Sequence, residues 1–488
     1  MTRFLSRKLA IILLSLLFTN SCRETIKLPA IEHNVSTPVD MATDFSGEYF
    51  YVLNADFLHT YATGSLLVLN QDGDKVGSVP VPRLGKVLTV SGNDLFILFD
   101  HEAGEHPRKV LLFDISQPNK PVQKKEWHFD DCTPGNLASR KDYPYFALIC
   151  NEGALWMGTL TEDRTKSTLK KVRTYPQIQG ATRRALYLDP KRELLFAFIT
   201  DVGSGTLVDS LYTDSQTWAN GAYINNSPDE IPDALQQTAA RASDVLDNTT
   251  RFEFMLYDIA KEASNGFPPK NFVDVRKQEP RWLYFGVENW DGTPDDPGAQ
   301  GNSSIKYYRT NFWETRPDPD DSDSFYISHR GLGTQGNSEH ANDIIKVTFK
   351  KGGDPRPNAA GVPPVLTSYL TFERVYGFKS DETGPDKYFN SFIITKYQGQ
   401  KVILLNSFRD LVNFSNPRYM IAAANVIEKD SPFGAWFTDV SSWDVDNSYY
   451  QLALAKNGNL LTSSFYTDDL RLFKVNFGDT ISLIKPID

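Results

Sequence analysis

The segment DHEAGEH contains two histidines and a glutamate, which are residue types that often take part in catalysis or metal binding. His101, Glu102 and His106 could bind a metal ion or transfer a proton, because imidazole is the side chain most often used for both tasks near neutral pH. Their spacing is not that of the HExxH zinc helix, and the glycine between them favours a loop. The alternative is a pair of solvated loop histidines.

A second candidate is the acidic loop RPDPDDSDS, in which Asp318, Asp320 and Asp323 lie close together. Calcium is bound by about six to eight oxygen ligands, and closely spaced aspartates can supply them. The spacing does not match an EF-hand, and Pro317 and Pro319 stiffen the loop. Calcium is therefore the cofactor that the sequence suggests, and a solvated acidic loop is the alternative.

The cysteines divide into one near the N-terminus, Cys22, and two in the middle of the chain. Cys132 begins the run CTPGNLA and Cys150 ends the run YFALIC. If these runs pair as an antiparallel hairpin, both cysteines lie at its open end, where facing Cα atoms are about 4.5 to 5.5 Å apart. A disulfide can span that distance, so the sequence predicts a Cys132–Cys150 disulfide and an oxidising compartment.

The N-terminal residues, MTRFLSRKLAIILLSLLFTNSC, predict export and a lipid anchor. The apolar run follows three basic residues and is shorter than the roughly 20 residues that span a bilayer, which is typical of a signal peptide. Its end resembles a bacterial lipobox, so we expect residues 1–21 to be removed, lipid including palmitate to be attached to Cys22, and residues 22–36 to form a tether. Ordinary cleavage near Ser21 is the alternative. The residue after Cys22 is Arg23 rather than aspartate, which resembles the sorting pattern of outer-membrane lipoproteins. The expected location is therefore the cell envelope, facing the periplasm or the surface.

The composition favours an acidic protein rich in β-structure. The chain of 488 residues has a net charge of −10, and removal of the three basic leader residues makes it −13. Such a charge repels nucleic acid, so we expect no nucleic-acid partner. Aromatic residues make up 12% of the chain, and there are 31 glycines and 28 prolines, which together favour strands separated by frequent turns.

Short apolar runs recur in pairs joined by a turn, which is a hairpin signal. The second members of the first three pairs begin 44 and 45 residues apart, which matches the period of four-stranded propeller blades. The pairs begin at Tyr49 and Ser65, Asp94 and Lys109, Tyr145 and Ala154, Leu194 and Phe252, Ser324 and Asp343, Ser391 and Lys401, and Asn459 and Asp469. Seven pairs predict an all-β, seven-bladed β-propeller over residues 37–488, closed between the strand from Thr480 and one near the start of the domain. A β-sandwich followed by other β domains is the alternative.

The segment YFYVLNADFLHTYATGSLLVLNQDGDKVGSVPVPRLGKVLTVSGNDLFILFD resembles YVTN and lactonase-type propellers. A later segment, FYISHRGLGTQGNSEHANDIIKVTF, resembles an element of the lactonase branch in which an arginine lies near the substrate funnel. This resemblance implies that Arg330, with His329 beside it, could contact a ligand or take part in catalysis. His329 stands where that family has asparagine, and a structural salt bridge is the alternative role for Arg330.

The turns within the seven hairpins are expected to share one face of the propeller, which we call the top face. In the fourth blade this turn is replaced by a long insertion, at about 201–251, that includes the helix-like sequence PDALQQTAARASDVLD. Decorated faces of this kind usually carry binding sites. We therefore expect an exported, membrane-anchored lipoprotein whose propeller is a binding or scaffold module for a protein or glycan, and not an enzyme. The alternative is an exported lactonase-like hydrolase or oxidoreductase.

Overall fold

The computed structural model describes just over half of the chain. The described residues are 27–100, 108–151, 154–174, 184–201, 251–267, 270–271, 281–283, 310–331, 342–354, 369–376, 387–397, 400–409, 418–425, 436–439, 451–464, 468–476 and 480–487. The insertion predicted at about 201–251 lies outside these ranges except at its two ends, where Asp201 and Arg251 pair across neighbouring strands.

Seven antiparallel sheets follow one another along the described chain. The first four contain β1 (Pro38–Thr43), β2 (Tyr49–Asn54), β3 (Gly64–Asn70), β4 (Lys75–Val81); β5 (Gly85–Ser91), β6 (Asp94–Phe99), β7 (Lys109–Asp114), β8 (Val122–His128); β9 (Pro134–Ser139), β10 (Tyr145–Cys150), β11 (Ala154–Thr159), β12 (Thr168–Thr174); and β13 (Arg184–Asp189), β14 (Leu194–Asp201), β15 (Arg251–Asp258), β17 (Arg281–Leu283). A short strand, β16 (Lys270–Asn271), runs parallel to β12 as a fifth strand of the third sheet.

The last three sheets repeat the same order. They contain β18 (Thr310–Pro317), β19 (Ser324–Gly331), β20 (Asn342–Phe349), β21 (Leu370–Tyr376); β22 (Lys387–Tyr397), β23 (Gln400–Arg409), β24 (Arg418–Asn425), β25 (Trp436–Asp439); and β26 (Gln451–Leu454), β27 (Asn459–Ser464), β28 (Asp469–Asn476), β29 (Thr480–Ile487). The described helices are a 3₁₀ turn, Arg164–Lys166, and α1 (Ile259–Ser264), which begins after Asp258, whose carboxylate accepts the backbone N–H of Lys261 (3.1 Å).

The first strand of each sheet lies at the centre of the molecule. Each of these inner strands contacts the inner strand of the next sheet, and the last inner strand, β26, contacts the first, β1. Seven sheets arranged around a common axis in this way form a β-propeller, so the predicted all-β propeller class is confirmed and the β-sandwich alternative is wrong.

In the first two sheets the second and third strands are largely apolar because sheets cover both of their faces. In β2, Tyr51 and Leu53 pack with the second sheet, whereas Phe50 and Val52 point the other way and pack with the last sheet. This alternation follows from the two-residue period of a strand. The outermost strands are different, since no residue of β8 (VQKKEWH) is fully buried, and its lysines protect the edge from pairing with other chains.

One of the predicted hairpins has a different place in its sheet from the one expected. The pair from Ser391 and Lys401 was expected to be the second and third strands, but it forms β22 and β23, the first and second. Its turn therefore lies on the face opposite to the other hairpin turns. In sequence, β22 resembles a middle strand because it is eleven residues long and rich in apolar residues. Its pairing with β23 also has an irregularity between Phe389 and Phe392.

The ring closes by packing between complete sheets. We expected the strand from Thr480 to meet one near the start of the domain, but β29 pairs with β28, and every sheet is built from strands that follow one another in sequence, with β16 as the added strand. Leu461, Leu470 and Ile487 pack against residues of the first sheet. The amide of Asn459 also donates to the carbonyl of Gln71 at 2.9 Å.

The segment before β1 crosses the top of the first sheet. The carbonyl of Pro29 accepts the N–H of Ala62 (3.0 Å), Ile31 is buried, and the Ser36 hydroxyl donates to the Asp56 carboxylate (3.0 Å). Part of the predicted tether, residues 29–36, therefore packs against the propeller, because its apolar and hydroxyl side chains find partners there.

Candidate functional site

A channel runs through the centre of the ring and is lined by residues of all seven inner strands. Its volume is about 400 Å³, which lies in the range of pockets for small molecules. The polar and charged side chains in its lining include Asp40, Lys86, Asn136, Arg140, Glu314, Arg316 and Gln451. Inner strands begin at the top face, so their first residues lie in the upper channel and their last residues in the lower channel.

Charges in the upper channel are matched by nearby partners. The ammonium group of Lys86 forms an ion pair with Asp100, which follows the end of β6. The Asp40 carboxylate accepts the N–H of Leu88 (2.8 Å) from the neighbouring sheet and the N–H of Met41 (2.9 Å). These contacts hold β1 against β5 and leave little unmatched charge.

The lower channel, by which we mean Ser139, Arg140, Glu314 and Arg316, carries an excess of positive charge. Arg316 contacts the Glu314 carboxylate at 3.2 Å. The Arg140 Nε donates to the carbonyl of Leu188 (3.1 Å), and its guanidinium lies 4.8 Å from the centre of the Tyr187 ring. Among the described residues, Arg140 contacts no carboxylate.

Burial shapes the protonation of this region. Burial lowers the pKa of the Arg140 guanidinium, and the positive charge of Arg316 lowers it further. Burial also raises the pKa of Tyr187 to about 12, and the nearby Arg140 opposes that rise. Arginine side chains stay charged in proteins, and Tyr187 keeps its proton near neutral pH. The lower channel can therefore attract and hold a negative charge, whereas neither group is suited to remove a proton from a substrate.

The candidate residues of the top face are placed only in part. His101, Glu102 and His106 lie outside the described residues. His329 and Arg330 lie at the top end of β19, where His329 faces Phe312 and Asp343 in the register, and Arg330 faces Asn311 and Asn342. Their side chains lie outside the described part of the structure, so their roles as ligand or catalytic residues stay predictions.

The acidic loop lies on the opposite, bottom face and contacts basic side chains. The buried Asp318 carboxylate accepts Lys401 Nζ at 2.6 and 2.7 Å and the Tyr326 hydroxyl at 2.9 Å. Asp320 forms an ion pair with Lys396, and Asp323 forms one with Lys191 at 2.6 Å. A calcium ion would have to displace these basic groups.

The pKa values of the loop follow from these contacts. Burial alone would raise the pKa of Asp318, but hydrogen bonds from Lys401, the Asp320 N–H and Tyr326 hold it below its usual value. Lys191 and Arg192 likewise lower the pKa of Asp323. Both carboxylates are therefore charged near neutral pH and matched by cations. Across the described ranges, no group of three or more histidine, cysteine, aspartate or glutamate side chains is arranged to hold a metal ion.

The predicted disulfide is present. Cys132 and Cys150 are bonded, with their Cα atoms 5.3 Å apart. Cys132 precedes β9 and Cys150 ends β10, so the bond joins the open end of the predicted hairpin. Both side chains are buried between the second and third sheets. No helix within the described ranges has the length and apolar character needed to cross a membrane.

Sequence reasoning did not identify the lower channel. Arg140 and Arg316 come from the third and fifth sheets, and only closure of the ring brings both into the same channel. A usable signal was a basic residue at or just after the end of a short strand that precedes an apolar hairpin. Such residues are also common in exposed turns, so the pattern alone is weak.

Comparisons with known proteins give similarity in fold only. No family model matches the chain, and no curated protein matches it. The β-propeller domain of Cps50 (Swd1) from Myceliophteria thermophila is similar at 8% identity and a TM-score of 0.48, over 91% of this chain and 99% of that one. The N-terminal domain of Nup159 is similar at 8% identity and 0.39, over 94% and 91%. A Lactobacillus plantarum protein is similar at 9% identity and 0.37, over 78% and 82%.

Proposed function

We propose that this protein is an exported lipoprotein of the cell envelope, anchored in the outer membrane through lipid on Cys22, whose propeller binds a partner through its top face. The observation that carries the proposal is the Cys132–Cys150 disulfide. Structural disulfides persist in oxidising compartments outside the cytosol. The disulfide also leaves Cys22 as the remaining cysteine of the three in the chain, available for lipid.

The position of the N-terminal segment supports the anchor. Among the described residues, which start at Lys27, the first hydrogen bond from this segment to the propeller is made by Pro29, so the described contacts do not depend on residues 1–21. An extended chain spans at most about 3.5 Å per residue, so the seven steps from Cys22 to Pro29 reach about 25 Å. Two or three acyl chains on Cys22 would then hold the top edge of the first sheet close to the bilayer.

Exposed apolar side chains support binding through the top face. Phe57 and Leu58, in the turn between β2 and β3, are 48% and 75% exposed. They lie in the same turn as Ala62, which contacts Pro29. A lipid on Cys22 would bring this turn near the membrane. Neighbouring exposed apolar side chains on a soluble domain favour contact with a partner. A protein or glycan at the membrane surface fits this position.

The anchor is tested by replacing Cys22 with serine in the full chain expressed in a bacterium that processes lipoproteins. We expect radiolabelled palmitate to label the parent protein and not Cys22→Ser, and we expect the variant to leave the membrane fraction, because the thiol that accepts the lipid is gone. The Cys132–Cys150 bond, read by non-reducing peptide mapping, serves as the control for folding. An unlabelled parent protein would contradict the anchor.

Binding through the top face is tested by affinity capture of the lipidated protein from its native membrane. We expect a double variant, Phe57→Ser with Leu58→Ser, to lose most of a captured envelope component, because the exposed apolar contact is removed. Phe45→Ser is the matched control, since Phe45 is 64% exposed but lies in the bottom-face turn before β2. Equal capture by both variants would contradict the assigned face. Lactone hydrolysis that disappears in Arg330→Ala would favour the lactonase-like alternative.

A further inference from the structure

We propose that the lower channel is a binding site for a small oxyanion, a carboxylate or a phosphate, held between Arg140 and Arg316. The site lies at the bottom end of the channel, away from the top face, and does not depend on the lipid anchor. Its case rests on the charge of the lower channel, on polar atoms without partners, and on the size of the cavity.

The first argument is charge. Arg140 and Arg316 bring two guanidinium groups to the lower channel, and Glu314 brings one carboxylate, which contacts Arg316 at 3.2 Å. Asp189 lies on the neighbouring strand but is matched by Arg192, at 2.9 Å. The charge of Asp189 also acts on Arg140, but Arg140 has no ion pair of its own among the described residues, so a bound anion would offset the remaining positive charge.

The second argument is hydrogen bonding. Two adjacent donors at the bottom end of β9, Arg140 Nη2 and the Ser139 hydroxyl, are buried and have no hydrogen-bond partner among the described residues. Most buried donors in proteins are satisfied, and an unsatisfied one usually has a functional or solvent explanation. Both residues line the channel, so a small anion bound between the two guanidinium groups could offer these donors an acceptor.

The third argument is size and geometry. The channel volume of about 400 Å³ is small for a ligand pocket, which favours a compact molecule. A guanidinium group presents a planar pair of N–H donors, and carboxylate and phosphate oxygens both match that spacing. The chemistry common to the two ligand types is therefore a pair of oxygens that share negative charge.

The site is tested by isothermal titration calorimetry of the full chain, purified in detergent at low chloride, with inorganic phosphate and separately with citrate. We expect at least one of the two to bind with a stoichiometry near one, and the arm that binds identifies the ligand type. Arg140→Lys and Arg316→Gln should each weaken binding by roughly tenfold or more, because each removes a charge-assisted contact. Lys141→Gln is the matched control. Lys141 follows Arg140 directly in the chain but is not among the residues that line the channel, and its side chain is 43% exposed.

Circular dichroism and thermal melting establish that each variant is folded. If Arg140→Lys does not fold, Arg316→Gln carries the test, because the Arg316 side chain is 41% exposed and its loss is better tolerated. Binding of neither anion to the parent protein would overturn the proposal. Equal affinity of the parent protein, Arg316→Gln and Lys141→Gln would overturn it as well.

Discussion

Replacing Cys132 and Cys150 together with alanine is expected to lower the free energy of unfolding by about 3 kcal/mol, because the bond closes a loop with a sequence separation of 18 and so restricts the unfolded chain. The two side chains are also fully buried between the second and third sheets, so the loss of packing adds to the effect. Urea denaturation followed by tryptophan fluorescence measures the change.

The experiment is best done in a Cys22→Ala background, in which the two bonded cysteines are the only ones left. Dithiothreitol should destabilise the parent protein by a similar amount and should leave the double alanine variant unchanged. If the denaturation midpoints of the parent and the variant coincide, the bond does not restrict the unfolded state as we expect.

Replacing Asp318 with asparagine is expected to lower the free energy of unfolding by about 3 kcal/mol or more. The Asp318 side chain is 0% exposed and forms a salt bridge with Lys401, which is 14% exposed. The removal of one charge from such a pair leaves the other buried without its counter-charge, which costs about 3 to 5 kcal/mol. Denaturant unfolding at neutral pH measures the effect.

Asp320→Asn is the matched control, because Asp320 lies in the same loop and pairs with Lys396, but both side chains are more than a third exposed, at 35% for Asp320 and 49% for Lys396. Exposed pairs contribute about 0 to 1 kcal/mol, so we expect this variant to remain close to the parent protein. If the two variants lose equal free energy of unfolding, the buried Asp318–Lys401 pair stabilises the fold no more than the exposed pair does.

The pH dependence follows from the lowered pKa of Asp318. A carboxylate whose pKa is lower in the folded state stabilises the fold at pH values above its ordinary pKa, near 3.8, and this contribution is lost as the pH falls through the folded pKa. The parent protein should therefore lose stability on acidification below about pH 4, and Asp318→Asn should lose less over the same range.

Local sequence patterns predicted the parts of the fold that depend on neighbouring residues. The runs from Tyr49 and Ser65 were recognisable as paired strands because sheets cover both faces of β2 and β3, which makes the runs apolar throughout. The disulfide was predictable for a similar reason, since the two cysteines belong to one hairpin.

Contacts between sheets were not predictable in the same way. Asp318 and Lys401 are 83 residues apart, and nothing near Asp318 in the sequence identifies its partner. The calcium site suggested for this loop stays a prediction, because a run of aspartates has the same appearance in sequence whether lysines or a metal ion neutralise it. The strand β22 was misplaced because length and apolar content do not distinguish a long inner strand from a middle one.

The closure of the ring by whole sheets has a consequence for how such a protein can change over evolution. In the described chain no strand is shared between the first and last sheets, and contacts such as the one from Asn459 to Gln71 are made by side chains and turns. Duplication or deletion of a gene segment that encodes one sheet would therefore leave every other sheet complete. For the same reason, a circular permutation that opens the chain between two sheets should keep each sheet whole.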